Sequence, residues 1–224
     1  MKKNEKFAIP SEVMWVLAML LMPMAITLCT KANLGMSMIA APTYIVSEKT
    51  VLSYGQAEYI FQAIVLGVMC LLSGRFKWSY LTSFLTALIY GTILDFYIWL
   101  MRDVEVTALW GRILLLVAGM ILTSFAVACF MHTYLAPCAY DYLVREVVEV
   151  RGFDLRKFKL ANDFTYLILS VALTLILYRG FVGVYWGTLL MAVCNGHIIA
   201  FFSKQMDKRF TIKPKFEKIN KVLS

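Results

Sequence analysis

Apolar residues fill six stretches of this chain, and polar residues gather in the connections between them. The stretches are Val13–Thr30, Ala57–Leu72, Tyr80–Met101, Ile113–Met131, Leu160–Tyr178 and Phe181–Phe202. A helix needs roughly twenty residues to cross a hydrocarbon core. The pattern therefore predicts an all-α integral membrane protein with six transmembrane helices.

The first three stretches resemble the last three. Ala87, Gly91, Ile93 and Phe96 in the third fall in register with Ala192, Gly196, Ile198 and Phe201 in the sixth. The exit of the first, Lys31-Ala32-Asn33-Leu34-Gly35-Met36-Ser37, matches His132-Thr133-Tyr134-Leu135-Ala136-Pro137-Cys138. Three spans per half is an odd number, so the second half enters the membrane upside down. Such an inverted three-plus-three repeat is a recurring plan of small-solute transporters. The expected organisation is a flank over 1–12, repeats over 13–101 and 113–203, a loop over 102–112, and a basic tail over 204–224.

Each half also carries a segment too short to cross. Leu34–Val46 and Leu135–Val150 read as re-entrant or interfacial helices. Pro137 suits a first helical turn, and Pro42 is expected to kink or divide its segment. Ser53 with Gln56 reads as a capping box that opens the second span. Ser83, Ala87 and Gly91, and likewise Gly183 and Gly187 followed by the series Ala192, Gly196 and Ala200, form small-residue faces that let backbones approach closely. A contact between the third and sixth spans would place the pseudo-two-fold axis there.

The chain is 61% hydrophobic and 16% charged over 224 residues. A soluble domain of that size could not hide so much apolar surface. The net charge of +8 does not indicate nucleic-acid binding, because the charges sit at span ends. Lys2, Lys3 and Lys6; Arg75 and Lys77; Arg145, Arg151, Arg156, Lys157 and Lys159; and the run from Lys204 to Lys221 all fall on one side of a six-span topology. The positive-inside rule makes that side, with both termini, cytoplasmic. The first stretch has no small-residue cleavage site and reads as an uncleaved signal-anchor.

Five cysteines occur without a CxxC pair, and no zinc, phosphate-loop or dinucleotide motif appears. No metal, no cofactor and no catalytic residue set is expected, and the chain reads as non-enzymatic. Ionisable residues inside spans are costly and mark function or pairing. Asp95 sits in the third span near Arg102 and Arg112, where an ion pair competes with a substrate or proton role. His197 lies in mid-span beside Asn195 and titrates near neutral pH. Lys31 and His132 are equivalent by the repeat. With Asn33 and the starts of the two short segments, they would hold an anion. Asp141 lies between two tyrosines, while Asp163, next to Asn162, suits the dipole of the fifth span. His132 with Cys138, oriented by Asp141, would be the parts of a thiol peptidase.

The stretch Lys31-Ala32-Asn33-Leu34-Gly35-Met36-Ser37 after the first span, and the third span with Gly91 and Asp95, resemble the YczE/YyaS/YitT family of bacterial membrane proteins. Met38 departs from the proline expected after the serine. The resemblance implies a multi-pass protein of the bacterial cytoplasmic (inner) membrane, with no substrate or catalytic list. The favoured expectation is a secondary transporter or exporter of a small metabolite, an anion among the classes considered, coupled to protons through His197 or Asp95. Its partners would be the lipid bilayer and a small-molecule substrate, with a homodimer or partner protein left open. A non-catalytic membrane subunit or regulator is the second reading, and the thiol peptidase the third.

Overall fold

The computed structural model describes residues 7–213 except 75, 76, 78, 134, 136 and 137. The expectations for Lys2, Lys3, Lys6, Arg75, Pro137, Lys215, Lys218 and Lys221 lie outside the described residues. The elements are β1 (Phe7–Pro10), α1 (Ser11–Ala32), α2 (Ala41–Lys49), α3 (Tyr54–Ser73), α4 (Ser79–Leu100), α5 (Leu109–Met131), α6 (Ala139–Arg151), α7 (Leu155–Tyr178), α8 (Trp186–Arg209) and β2 (Phe210–Lys213). Six of the helices, α1, α3, α4, α5, α7 and α8, are long and apolar enough to cross a membrane.

Local chemistry sets most of the helix ends. Asn33 stops α1 in the left-handed conformation, at φ 48°, and its N–H donates to the carbonyls of Cys29 and Thr30. Ser53 and Gln56 form the capping box of α3. Two expectations are corrected. Pro42 neither kinks nor divides its segment, because it sits in the first turn of α2, where its missing N–H has no partner to lose. The sixth span starts at Trp186, not Phe181, since residues 179–185 form the turn that Gly183 (φ 73°) makes possible. It runs on to Arg209, with Lys208 and Arg209 favoured in the last turn by the helix dipole.

The centre of the bundle is the crossing of α1 with α5. Ala18, Ala25 and Ala32 recur every seven residues on α1 and are fully buried. Opposite them, Gly119 lies so close that a Cβ there would come within 2.9 Å of the Ala25 carbonyl oxygen. Such a seam of small residues lets the two helix backbones approach closely. Around this pair, α4 packs on α1 and α8 on α5, while α2 and α6 each lie against both α3 and α7. The expected contact between the third and sixth spans is replaced by another. Gly91 of α4 faces Gly55 of α3, where a Cβ on Gly91 would sit 2.7 Å from the Gly55 oxygen.

The strands were not anticipated. β1 pairs in parallel with β2, Phe7 opposite Phe210 and Ile9 opposite Ile212. That pairing holds the segments before α1 and after α8 side by side, at the same end of the bundle.

Candidate functional site

A cavity of about 190 Å³ lies between the two halves. Its walls include Met22 and Ile26 of α1, Thr123 and Val127 of α5, and Ala192, Asn195 and Gly196 of α8. Ser37 to Ala40, at the entry to α2, and Cys138, Tyr140 and Asp141, at the entry to α6, also line it. Both short helices thus begin at the same central space. Asp141 and Lys159 are 35% and 45% exposed, so the cavity reaches the surface at the end where α7 begins.

Its least expected wall residue is Glu58 of α3, only 3% exposed. One carboxylate oxygen accepts from the Gln62 side-chain amide at 3.2 Å, one helical turn away. The Gln62 carbonyl oxygen in turn accepts the Ala139 backbone N–H at 3.0 Å, at the first turn of α6. The other Glu58 oxygen, Oε2, has no hydrogen-bond partner among the described residues. Thr43 and Tyr140 present their hydroxyl-bearing side chains beside the carboxyl group, and Tyr90 walls the cavity next to it. On the α7 side, Lys159 Nζ lies 3.4 Å from Asp141 Oδ1, and Asp163 Oδ1 is buried without a partner.

Of the six residues expected to form a site, Asp141 alone lines the cavity. Asp95 makes no pair with Arg102, which pairs with Asp103 instead. Its carboxylate caps α3, accepting the Ser53 hydroxyl at 2.5 Å and the Gly55 N–H at 2.7 Å. Lys31 donates to the Arg102 carbonyl at 3.1 Å. Arg112 donates to the carbonyls of Ala32 and Asn33, closing the end of α1. Asn33 is exposed rather than interior, since its polarity serves the left-handed cap. His197 is also exposed, its Nδ1 3.1 Å from the Val193 carbonyl of its own helix. His132 bridges the Ala128 carbonyl and Asp207 Oδ1, at 2.7 and 3.0 Å. The anion site built from Lys31, Asn33 and His132 is therefore not assembled, although the short-helix starts do share a cavity.

The thiol arrangement fares similarly. His132 is engaged with Asp207, and burial pushes the Cys138 thiol well above its usual range, away from the reactive thiolate. Among the described residues no cluster of His, Cys, Asp and Glu could hold a metal ion. Glu58 was overlooked because it stands second in an apolar stretch, where it passes for an interfacial residue. The available signal was its spacing from Gln62, four residues on, which puts two polar side chains on one helix face.

The chain belongs to the family of unknown function DUF6198, which matches residues 9–204. No curated protein and no solved structure matches it.

Proposed function

We propose that this family member is a secondary transporter that moves a small solute through the central cavity. The observation that carries the reading is the cavity itself. It lies where the two halves meet, at the starts of both short helices, and two buried carboxylate oxygens in its walls, Glu58 Oε2 and Asp163 Oδ1, have no hydrogen-bond partner among the described residues. Broken or re-entrant helices that meet at a shared site near mid-bundle are what alternating access requires.

The packing supports an inverted repeat. Exchanging α1 with α5, α2 with α6, α3 with α7 and α4 with α8 turns the α1–α4 contact into α5–α8, and α2–α7 into α6–α3. The offset that relates Lys31 to His132 also brings Ala18 onto Gly119 and Ala25 onto Ala126, the small residues of the central crossing. The axis then passes between α1 and α5. The basic residues Lys77, Arg145, Arg151, Lys157 and Lys208 make the β1–β2 end cytoplasmic. On this reading the cavity faces inward.

The test is solvent access. Single cysteines at Ser37 and Ala192, in a protein lacking its native cysteines, are exposed to a membrane-impermeant maleimide in right-side-out and in inside-out vesicles. Labelling of both sites from both sides is expected. Labelling confined to one side of the membrane refutes transport by alternating access.

A further inference from the structure

We infer that the solute is a small organic cation, and that it exchanges with a proton at Glu58. The inference rests on the transport reading and names its substrate class.

The wall charges point to a cation. Three carboxyl groups line the cavity, those of Glu58, Asp141 and Asp163, against the single ammonium of Lys159. An anion would also find three of the backbone donors at the starts of the short helices already used. The Ala139 N–H is taken by Gln62, and the N–H groups of Ala40 and Ala41 donate to Ser37.

Glu58 supplies the binding group. A carboxylate oxygen buried without a partner is strongly disfavoured unless a proton or a cation joins it. Around Glu58, α2 and α6 bring the Thr43 and Tyr140 hydroxyls beside the carboxyl group as neutral donors, and neither supplies the positive charge that a carboxylate needs. Thr43 of α2, Tyr54 and Gln62 of α3, and Tyr90 of α4 offer no charge. From α6 come Cys138, Tyr140 and Asp141; from α7 come Tyr166, Asp163 and Lys159, the ammonium already beside Asp141. The cavity walls from α1, α5 and α8 carry no titratable side chain. Tyr90 and Tyr140 offer aromatic surface to alkylated nitrogen, and Met22, Met38 and Met191 offer polarizable sulfur. Among the described residues no cluster of His, Cys, Asp and Glu could hold a divalent metal ion there, neither the oxygen cage of a hard cation nor a four-coordinate zinc site.

In the exchange, the Glu58 O–H bond breaks as the cation arrives. The proton leaves to water and the carboxylate keeps its charge as the cation's partner. No electron is transferred. One cation bound releases one proton at this site, so the two cross in opposite directions. Where the proton occupies the site, acidification by one pH unit weakens the apparent affinity about tenfold.

The experiment is calorimetric titration of the purified full-length protein with methylammonium, tetramethylammonium and guanidinium, then with phosphate, sulfate and acetate. Two buffers of different ionisation enthalpy report the protons released. At least one cation should bind with close to one proton released, and the His197→Ala variant should bind it equally. Glu58→Gln should lose binding, and Glu58→Asp should bind more weakly yet still release a proton. If none of the three cations binds, if binding releases no proton, or if Glu58→Gln binds normally, the inference falls. The unaltered protein decides the proton count even if a variant fails to fold. Anion binding without proton release would overturn the cation class and leave transport standing. A cation that binds with proton release, yet is not taken up by proteoliposomes, would overturn transport and leave the site standing.

Discussion

Replacing Asp95 separates a structural carboxylate from a transporting one. Asp95 accepts two hydrogen bonds across the α3–α4 interface, from Ser53 Oγ at 2.5 Å and from the Gly55 N–H at 2.7 Å. Bonds to a charged acceptor contribute about 1.5–3 kcal/mol each. The group is only half-buried, and the Ser53–Gln56 capping box survives its loss. Asp95→Ala should then destabilise by about 2–3 kcal/mol, and Asp95→Asn, which keeps an acceptor, by about 1 kcal/mol. Reversible unfolding in mixed detergent and dodecyl sulfate micelles, followed by circular dichroism, measures both. Ser53→Ala in the Asp95→Ala background should cost about 1 kcal/mol less than alone, because the bond between them is already gone. Transport by Asp95→Asn, corrected for the amount of folded protein, should equal that of the parent. An Asp95→Ala variant within about 0.5 kcal/mol of the parent, or one that folds normally and does not transport, would refute the capping role.

Gly91→Ala should destabilise by about 1–3 kcal/mol, because its methyl would meet the Gly55 oxygen at 2.7 Å, whereas Gly67→Ala, with nothing within 4 Å, should be neutral or stabilising; the same unfolding assay reads both. Lys77→Met should cost about 2 kcal/mol by stranding Glu146, whose carboxylate is 2% exposed and 2.8 Å from the ammonium. The hydrogen bond to Glu146 raises the Lys77 pKa above 10.5, so the stabilisation is complete below pH 10.5 and is lost as pH rises through the folded value. A titration of stability from pH 8 to 12 in parent and variant should show that difference vanish at the alkaline end. His197→Ala should change neither stability nor transport, since the ring is exposed and bonded to its own helix.

The six long apolar helices were legible in the sequence because a run of about twenty apolar residues has a length and a composition that an ordinary soluble helix does not share. The capping box of α3 was legible for a similar reason, being a local device with fixed spacing. Distance in the chain defeated the rest. Asp95 lies 40 residues or more from the donors it serves, so hydropathy could mark it as unusual without revealing that it caps a helix. Lys31 and Asn33 looked like parts of a ligand site because their partners, the Arg102 carbonyl and the left-handed cap, are backbone groups invisible to side-chain reasoning. The motif around them is a seam between the halves. The Gly187 N–H donates to the Leu34 carbonyl at 2.9 Å, the Met36 N–H donates to the Gly183 carbonyl at 3.0 Å, and a Cβ on Gly35 would collide with Thr188. Glu58 was hidden by the opposite error, since a carboxylate near a span end passes for a surface group until the packing of α2, α4, α6 and α7 buries it.

On the proposed repeat, Gly91 and Gly196 occupy the same position, yet their surroundings differ. Gly91 is closed against Gly55, with backbone within 3 Å of where a Cβ would lie, while Gly196 lines the cavity and has nothing within 4 Å of that point. The α3–α4 pair is firmly packed, and among the described residues α7 and α8 make no comparable contact. Two halves of one design in two conformations are what an inverted repeat gives when the cavity opens to one side. Exchange of the two conformations opens the other side. Gly196 would then have to reach, in the opposite state, the kind of contact that Gly91 makes here. A methyl at position 196 should cost nothing in the inward-open state and about 1–3 kcal/mol in the outward-open one, shifting the population inward by about five-fold or more. Gly196→Ala should therefore leave the unfolding midpoint unchanged or higher, slow transport, and reduce labelling of a cysteine at Ala192 from outside relative to inside. Equal labelling from the two sides, with transport at the parent rate, would show that the two glycines are not alternating partners.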